Sequence, residues 1–164
     1  MGIAAILAVA ITVLVLLNVI TRAMNASIFW VDEAAIYAMT WMTFLAASAA
    51  VHFGQSVSVT LFTDMLPASA TQIARRAVDV TVLIFGLLML WFSWRWFMPL
   101  ELARAGFDTM AFQVETFNFI YAEPTLTLGV RKFWLWLIMP IFAAGLTLHA
   151  VSNLSGPARR VAPT

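Results

Sequence analysis

Four stretches of nearly unbroken apolar residues alternate along the chain with shorter polar segments, and each stretch has the length of one membrane crossing. An α-helix rises about 1.5 Å per residue, so roughly 20 residues cover a hydrocarbon core about 30 Å thick. Met1 to Thr21 is uncharged, and Ala34 to about Phe53 holds no acid, Lys or Arg. From about Ala77 to Met98 the only charges are Asp79 and Arg95, near the ends, and from Phe133 to about Asn153 only His149 can carry one. The pattern predicts an all-α integral membrane protein: four transmembrane helices in one domain over residues 1–153, with interfacial helical segments in the connections. The tail from 154 to 164 contains GPARRVAPT and is expected to be flexible. A barrel would need many segments of about ten residues alternating in polarity, and isolated strands cannot satisfy their backbone in lipid.

The three connections differ in character. Arg22 to Val31 is a short turn, whereas Gly54 to Arg76 holds Asp64, Pro67 and a Thr/Ser-rich polar stretch. Arg95 to Lys132 is long and carries Trp96, Phe97, Phe107, Phe112, Phe117, Phe119 and Tyr121 among Glu101, Arg104, Asp108, Glu115 and Glu123. A connection this apolar is expected to fold onto the headgroup region or a protein surface. Arg131 and Lys132, ahead of FWLWL, read as an interfacial anchor with Trp134 and Trp136 in the aromatic belt.

Composition narrows the function classes. The 164 residues are 63% hydrophobic and 10% charged, against roughly 45–50% and about 25% in soluble domains. Nine Lys and Arg against eight Asp and Glu leave a net charge of +1 without a basic run, so nucleic-acid binding has no electrostatic footprint. With no Cys, thiolate chemistry, disulfides and Cys-ligated clusters are excluded. The first apolar segment lacks a basic leader and outruns a signal-peptide core of roughly 7–15 residues, so it reads as a retained helix; Ile6 stands where a myristoylation signal needs Ser or Thr. Four crossings put Arg75, Arg76, Arg159 and Arg160 on one side and Arg22, Arg95, Arg104, Arg131 and Lys132 on the other, a balance that sets no orientation.

The candidate chemistry concentrates in SIFWVDEAAIYAMTWMTFLA, Ser27 to Ala46, where Asp32 and Glu33 adjoin at the start of a span. At about 100° per residue, Trp30, Glu33, Tyr37, Trp41, Phe44, Ser48 and His52 share one sector and Asp32 points the other way. The two acids are therefore not a paired-carboxylate site. In a first helical turn each acid is stabilised by the positive end of the helix dipole, by roughly 0.3–1 kcal/mol. The aromatic ridge below Glu33 suits packing against another helix, of this chain or of a partner. Transport through the chain would call for charges deep in the spans or matched broken helices, and neither is present; Pro140 alone offers a kink. His52 and His149 close spans on the same side, which leaves a haem-binding membrane anchor of a respiratory complex as the alternative function. A membrane assembly factor is a third reading.

N-V-I-T-R at Asn18 to Arg22, W-x-D-E at Trp30 to Glu33, W-x-x-F-L-A at Trp41 to Ala46 and M-L-P at Met65 to Pro67 follow one another in order. Together they resemble the small membrane subunit, DctQ type, of tripartite ATP-independent periplasmic (TRAP) transporters. Asp32 replaces the family's first Glu, His52 stands where an Arg is usual, and Ser56 to Thr60 departs from the pattern that follows it. The resemblance implies a non-catalytic subunit without cofactor or metal, scaffolding a large membrane subunit for sodium-coupled uptake of an organic acid delivered by a periplasmic receptor. It further implies a bacterial or archaeal cytoplasmic (inner) membrane with both termini cytoplasmic. The residues expected at helix or subunit contacts are Asn18, Arg22, Trp30, Asp32, Glu33, Tyr37, Trp41 and Phe44.

Overall fold

A computed structural model describes residues 2–53 and 67–155, with only the backbone described at 52, 53, 68 and 69. The helices are α1 (Gly2–Ala23), α2 (Phe29–Phe53), α3 (Ala68–Phe97), α4 (Pro99–Arg104), α5 (Thr109–Thr116), α6 (Lys132–Trp136) and α7 (Ile138–Ser155). Among the described residues, four helical stretches are long and apolar enough to cross a membrane: Gly2–Ala23, Phe29–Val51, Ala70–Arg104 and Lys132–Ser155. The protein is an all-α, multi-pass membrane protein. Ser56 to Thr60, Met65, Leu66 and the tail from 156 lie outside the described residues.

Each boundary has a local cause. The α1–α2 turn is closed by Asn25 at φ 57°, with Asn25 N–H donating to the Arg22 carbonyl (3.1 Å) and Ala26 N–H to that of Thr21 (2.9 Å). This is a Schellman-type helix stop, in which Asn tolerates the left-handed conformation. α3 starts at Ala68 rather than at about Ala77, because ASATQIARR continues the helix into polar surroundings where hydropathy no longer marks it. It ends at Met98 because Pro99 has no N–H to donate and instead opens α4. The fourth crossing is broken at Leu137 between α6 and α7, as Pro140 cannot donate to the carbonyl one turn earlier.

Packing runs from α1 to α2, from α2 to α7 and from α7 to α3. On α1 the half-buried positions Leu7, Ile11, Leu14, Asn18 and Thr21 alternate spacings of four and three, the repeat that keeps one seam against a neighbour in a slightly supercoiled pair. Ala4, Ala10 and Leu17 flank this seam half-buried, and the opposite face points outward, with Ile3, Ile6, Val9, Val13 and Leu16 exposed. α7 buries Ile138, Phe142, Ala143, Leu146 and Ala150, and the small members of that face let other helices approach. A Cβ on Gly86 of α3 would lie 2.6 Å from Thr147 Oγ1, and one on Gly145 would lie 3.1 Å from Ser48 Oγ on α2. Hydroxyls inside the spans bond back to carbonyls of their own helix, as Thr12 does to Ala8 (2.9 Å), Thr43 to Met39 (2.8 Å) and Thr147 to Ala143 (2.8 Å). Such side chains need no polar neighbour, so these helix faces can meet lipid.

The long connection folds onto the ends of α3 and α6. Phe97, Phe112, Ile120 and Tyr121 form a buried cluster against which Leu102, Phe133, Trp136 and Leu137 pack. Phe112 is fully buried, and Tyr121 meets it edge-on at 5.3 Å between centroids. α5 is started by Asp108, whose carboxylate accepts from the Met110 (2.8 Å) and Ala111 (3.3 Å) amides.

Candidate functional site at the carboxylate end of the bundle

The C-terminus of α1, the N-terminus of α2, the end of α3 and the start of α6 meet at one end of the bundle, under the long connection. There the adjacent acids diverge. Asp32 faces α1: its Oδ2 pairs with Arg22 at 2.5 Å and its Oδ1 accepts from Asn18 Nδ2. Asn18 in turn accepts from Arg22 Nε at 3.1 Å, so the three side chains close a ring across the α1–α2 turn. Arg22 therefore bonds the acid next to Glu33. The pair is partly solvated, with 61% of the Arg22 side chain and 42% of the Asp32 side chain exposed; exposed pairs contribute about 0.2–1 kcal/mol. Its larger effect is to fix how α1 and α2 sit at this end.

Glu33 faces the opposite way and holds the connection. Its Oε2 accepts from the Thr127 amide (2.7 Å), the Thr127 hydroxyl (2.6 Å) and the Leu128 amide (3.1 Å), and its Oε1 from the Leu126 amide (2.9 Å). Three of the four converging loop donors meet Oε2 and one meets Oε1, and each bond is charge-assisted. The loop is shaped to present them: Thr125 N–H donates to the Val130 carbonyl (2.7 Å), Thr125 Oγ1 accepts from Val130 N–H (3.0 Å), and Gly129 takes φ 68°. Lys132 pairs with Glu123 across the base of this hairpin.

Below Glu33 the ridge packs inside the chain. Tyr37 OH lies 3.5 Å from Glu33 Oε1, Trp41 Nε1 donates to the Leu135 carbonyl at 2.9 Å beside the α6–α7 break, and the Phe44 and Phe142 rings meet at 5.0 Å. Within the chain, α6 thus meets Trp41 and α7 meets Phe44. Trp30, at the head of the ridge, stays 44% exposed. On the far side of the connection, Asn118 donates to the Trp96 carbonyl (2.7 Å), and Tyr121 OH donates to that of Phe97 (2.6 Å). Burial raises the Tyr121 phenol above its ordinary range. Deeper in the bundle, at the other end of α3, Asn153 Nδ2 donates to Asp79 at 3.3 Å.

A sequence profile described as "Tripartite ATP-independent periplasmic transporters, DctQ component" matches residues 11–160. The chain belongs to this family. The TRAP small subunit is also similar to two curated relatives. It is 29% identical over 101 residues to the C4-dicarboxylate TRAP transporter small permease protein DctQ of Vibrio cholerae, covering 61% of this chain and 44% of the relative. It is 35% identical over 84 residues to a provisionally named TRAP transporter small permease protein of Haemophilus influenzae, covering 51% and 52%. The alignments span about half the length of these relatives. In this chain the W-x-D-E run is a two-way clasp, one acid on α1 and the next on the loop. Family membership gives a haem anchor no support, and the His52 side chain lies outside the described residues.

Spacing pointed to the α2 residues of the clasp but missed the acceptor's partners. The Leu126 to Leu128 amides carry no side-chain signal, and in T-L-T-L-G, Thr125 to Gly129, Gly129 is the one residue typical of a turn. Gly86 and Gly145 were likewise silent, since close approach depends on what stands opposite.

Proposed function

We propose that the chain is the non-catalytic scaffold of a TRAP-type secondary transporter. It braces a large membrane subunit that performs sodium-coupled uptake of an organic acid handed over by a periplasmic receptor. Family membership carries the reading, and the name of the V. cholerae relative favours a C4-dicarboxylate as the acid. The clasp supports it physically. Asp32 ties α1 to α2, Glu33 ties α2 to the hairpin, and further along α2 Trp41 bonds α6 and Phe44 meets Phe142 of α7, which makes a single brace. The hydroxyls of Thr12, Thr40, Thr43, Thr81 and Thr147 bond back to carbonyls of their own helices rather than lining a polar path. On this reading both termini are cytoplasmic, the clasp lies at the periplasmic end, and the exposed apolar side of α1 with Trp30 meets the large subunit in the inner membrane.

The test is co-expression of the tagged chain with the large-subunit and receptor genes, followed by purification and reconstitution into liposomes. The expected result is copurification of a much larger hydrophobic partner, with sodium-dependent uptake lost when the small subunit is omitted. A chain that purifies alone from every extract, or uptake that persists without it, overturns the reading.

A further inference from the structure

At the clasp end, an open groove of about 480 Å³ lies between the last turn of α3, the start of α6 and the 117–123 turn. That volume is in the range of small-molecule sites, roughly 300–1,000 Å³. Its walls are the Trp96 and Trp136 rings, 6.3 Å apart between centroids, and Phe119; its polar content is Glu123 with Lys132. We propose that this groove is a headgroup site for a zwitterionic glycerophospholipid.

Depth is the first argument. Lys132 is the first residue of a membrane-spanning stretch, Trp136 lies one turn further in, and Trp96 stands in the last turn of α3, where Pro99 breaks the neighbouring stretch. Tryptophan at this level marks the boundary between headgroups and acyl chains. Trp96 and Phe119 remain 51% and 55% exposed, so apolar surface faces the leaflet where acyl chains begin.

Charge is the second argument. The groove holds one cation and one anion, each partly exposed, at 24% for the Lys132 side chain and 53% for Glu123. Lys132 spends one of its three N–H donors on Glu123 and has two to offer a phosphate; the Glu123 carboxylate keeps acceptor sites for an ammonium, which the indole faces also attract. A zwitterion thus turns one ion pair into an alternating set of four charges. A headgroup with phosphate but no ammonium places its charge beside Glu123 uncompensated. Asn118, also in the wall, spends one N–H on the Trp96 carbonyl and its oxygen on the Ile120 amide, and is neutral, so it leaves the charge pattern unchanged.

The test uses the full chain in its purified complex, stripped of lipid and titrated with phosphatidylethanolamine or phosphatidylglycerol under native mass spectrometry. The proposal expects retained phosphatidylethanolamine and weaker phosphatidylglycerol binding. Glu123→Gln preserves shape and a carbonyl for Lys132, and removing a charge-assisted bond should weaken phosphatidylethanolamine by about tenfold. Trp96→Ala should weaken it as well. Equal retention of both lipids overturns the proposal, as does unchanged binding in Glu123→Gln. So does competition by water-soluble glycerophosphoethanolamine at the concentration of the lipid, which would mark a solute site instead.

Discussion

Replacing Gly86 with Ala tests whether α3 and α7 are held at backbone distance. Alanine raises intrinsic helix propensity by about 0.8–1.0 kcal/mol, so on an open helix face the change would stabilise. Here the new Cβ meets Thr147 Oγ1 at 2.6 Å, and behind it the Thr147 N and Cα at 3.2 and 3.4 Å. The hydroxyl is held by its bond to the Ala143 carbonyl, and rotating it away gives up about 0.5–1.5 kcal/mol. Keeping it in place forces the helices apart, an overpacking cost of about 1–3 kcal/mol. The net expectation for Gly86→Ala is a loss of about 1 kcal/mol. In a Thr147→Ala background the hydroxyl is gone and only the two backbone contacts remain, so the same Gly86→Ala change becomes neutral or stabilising. Reversible unfolding in mixed micelles, run on both single variants and the double variant, reads this coupling directly. If Gly86→Ala stabilises the parent, or costs the same in both backgrounds, the close approach of α3 and α7 is wrong.

Three further outcomes follow from the connection and its clasp. Glu33→Gln puts an NH₂ group among converging N–H donors, so the 124–131 hairpin should exchange its amides and be cleaved by protease faster while helix content holds; unchanged protection at Leu126 to Leu128 contradicts the clasp. Phe112→Ala empties a fully buried site and should cost about 3–5 kcal/mol, seen as loss of near-ultraviolet aromatic ellipticity with far-ultraviolet signal retained. The Tyr121 phenol is raised by burial, so its neutral form favours the fold: that contribution is complete below about pH 10 and is lost as pH rises through the higher folded value. In a Tyr37→Phe background, Tyr121 is the remaining tyrosine, and its ionisation absorbance should appear late and together with loosening of the connection.

The opposite orientations of Asp32 and Glu33 are legible because adjacent residues diverge by about 100° on any helix. What each acid holds is not legible. Asp32 finds Arg22 only because Asn25 stops α1 and turns the chain back, and Glu33 finds Thr127 at a separation of 94 positions. Backbone amides, moreover, are present at every residue and single out none. The long aromatic connection could be read as needing a surface to cover; which rings close inward, Phe112 and Tyr121, and which stay out, Phe107 and Phe117, depends on where Asp108 starts α5 and on the left-handed turn at Phe117.

By itself the sequence determined the solvent and the class of fold. Apolar runs of crossing length leave a helix as the way to satisfy the backbone in lipid, and four short motifs in order pointed to the family. The tertiary structure decided the neighbours. It set Leu135 of α6 against Trp41 and Phe142 of α7 against Phe44, brought Gly86 onto Thr147, and turned two adjacent carboxylates into separate ties. Those outcomes rest on the shape and spacing of partners far apart in the chain, whereas hydropathy depends on each residue alone.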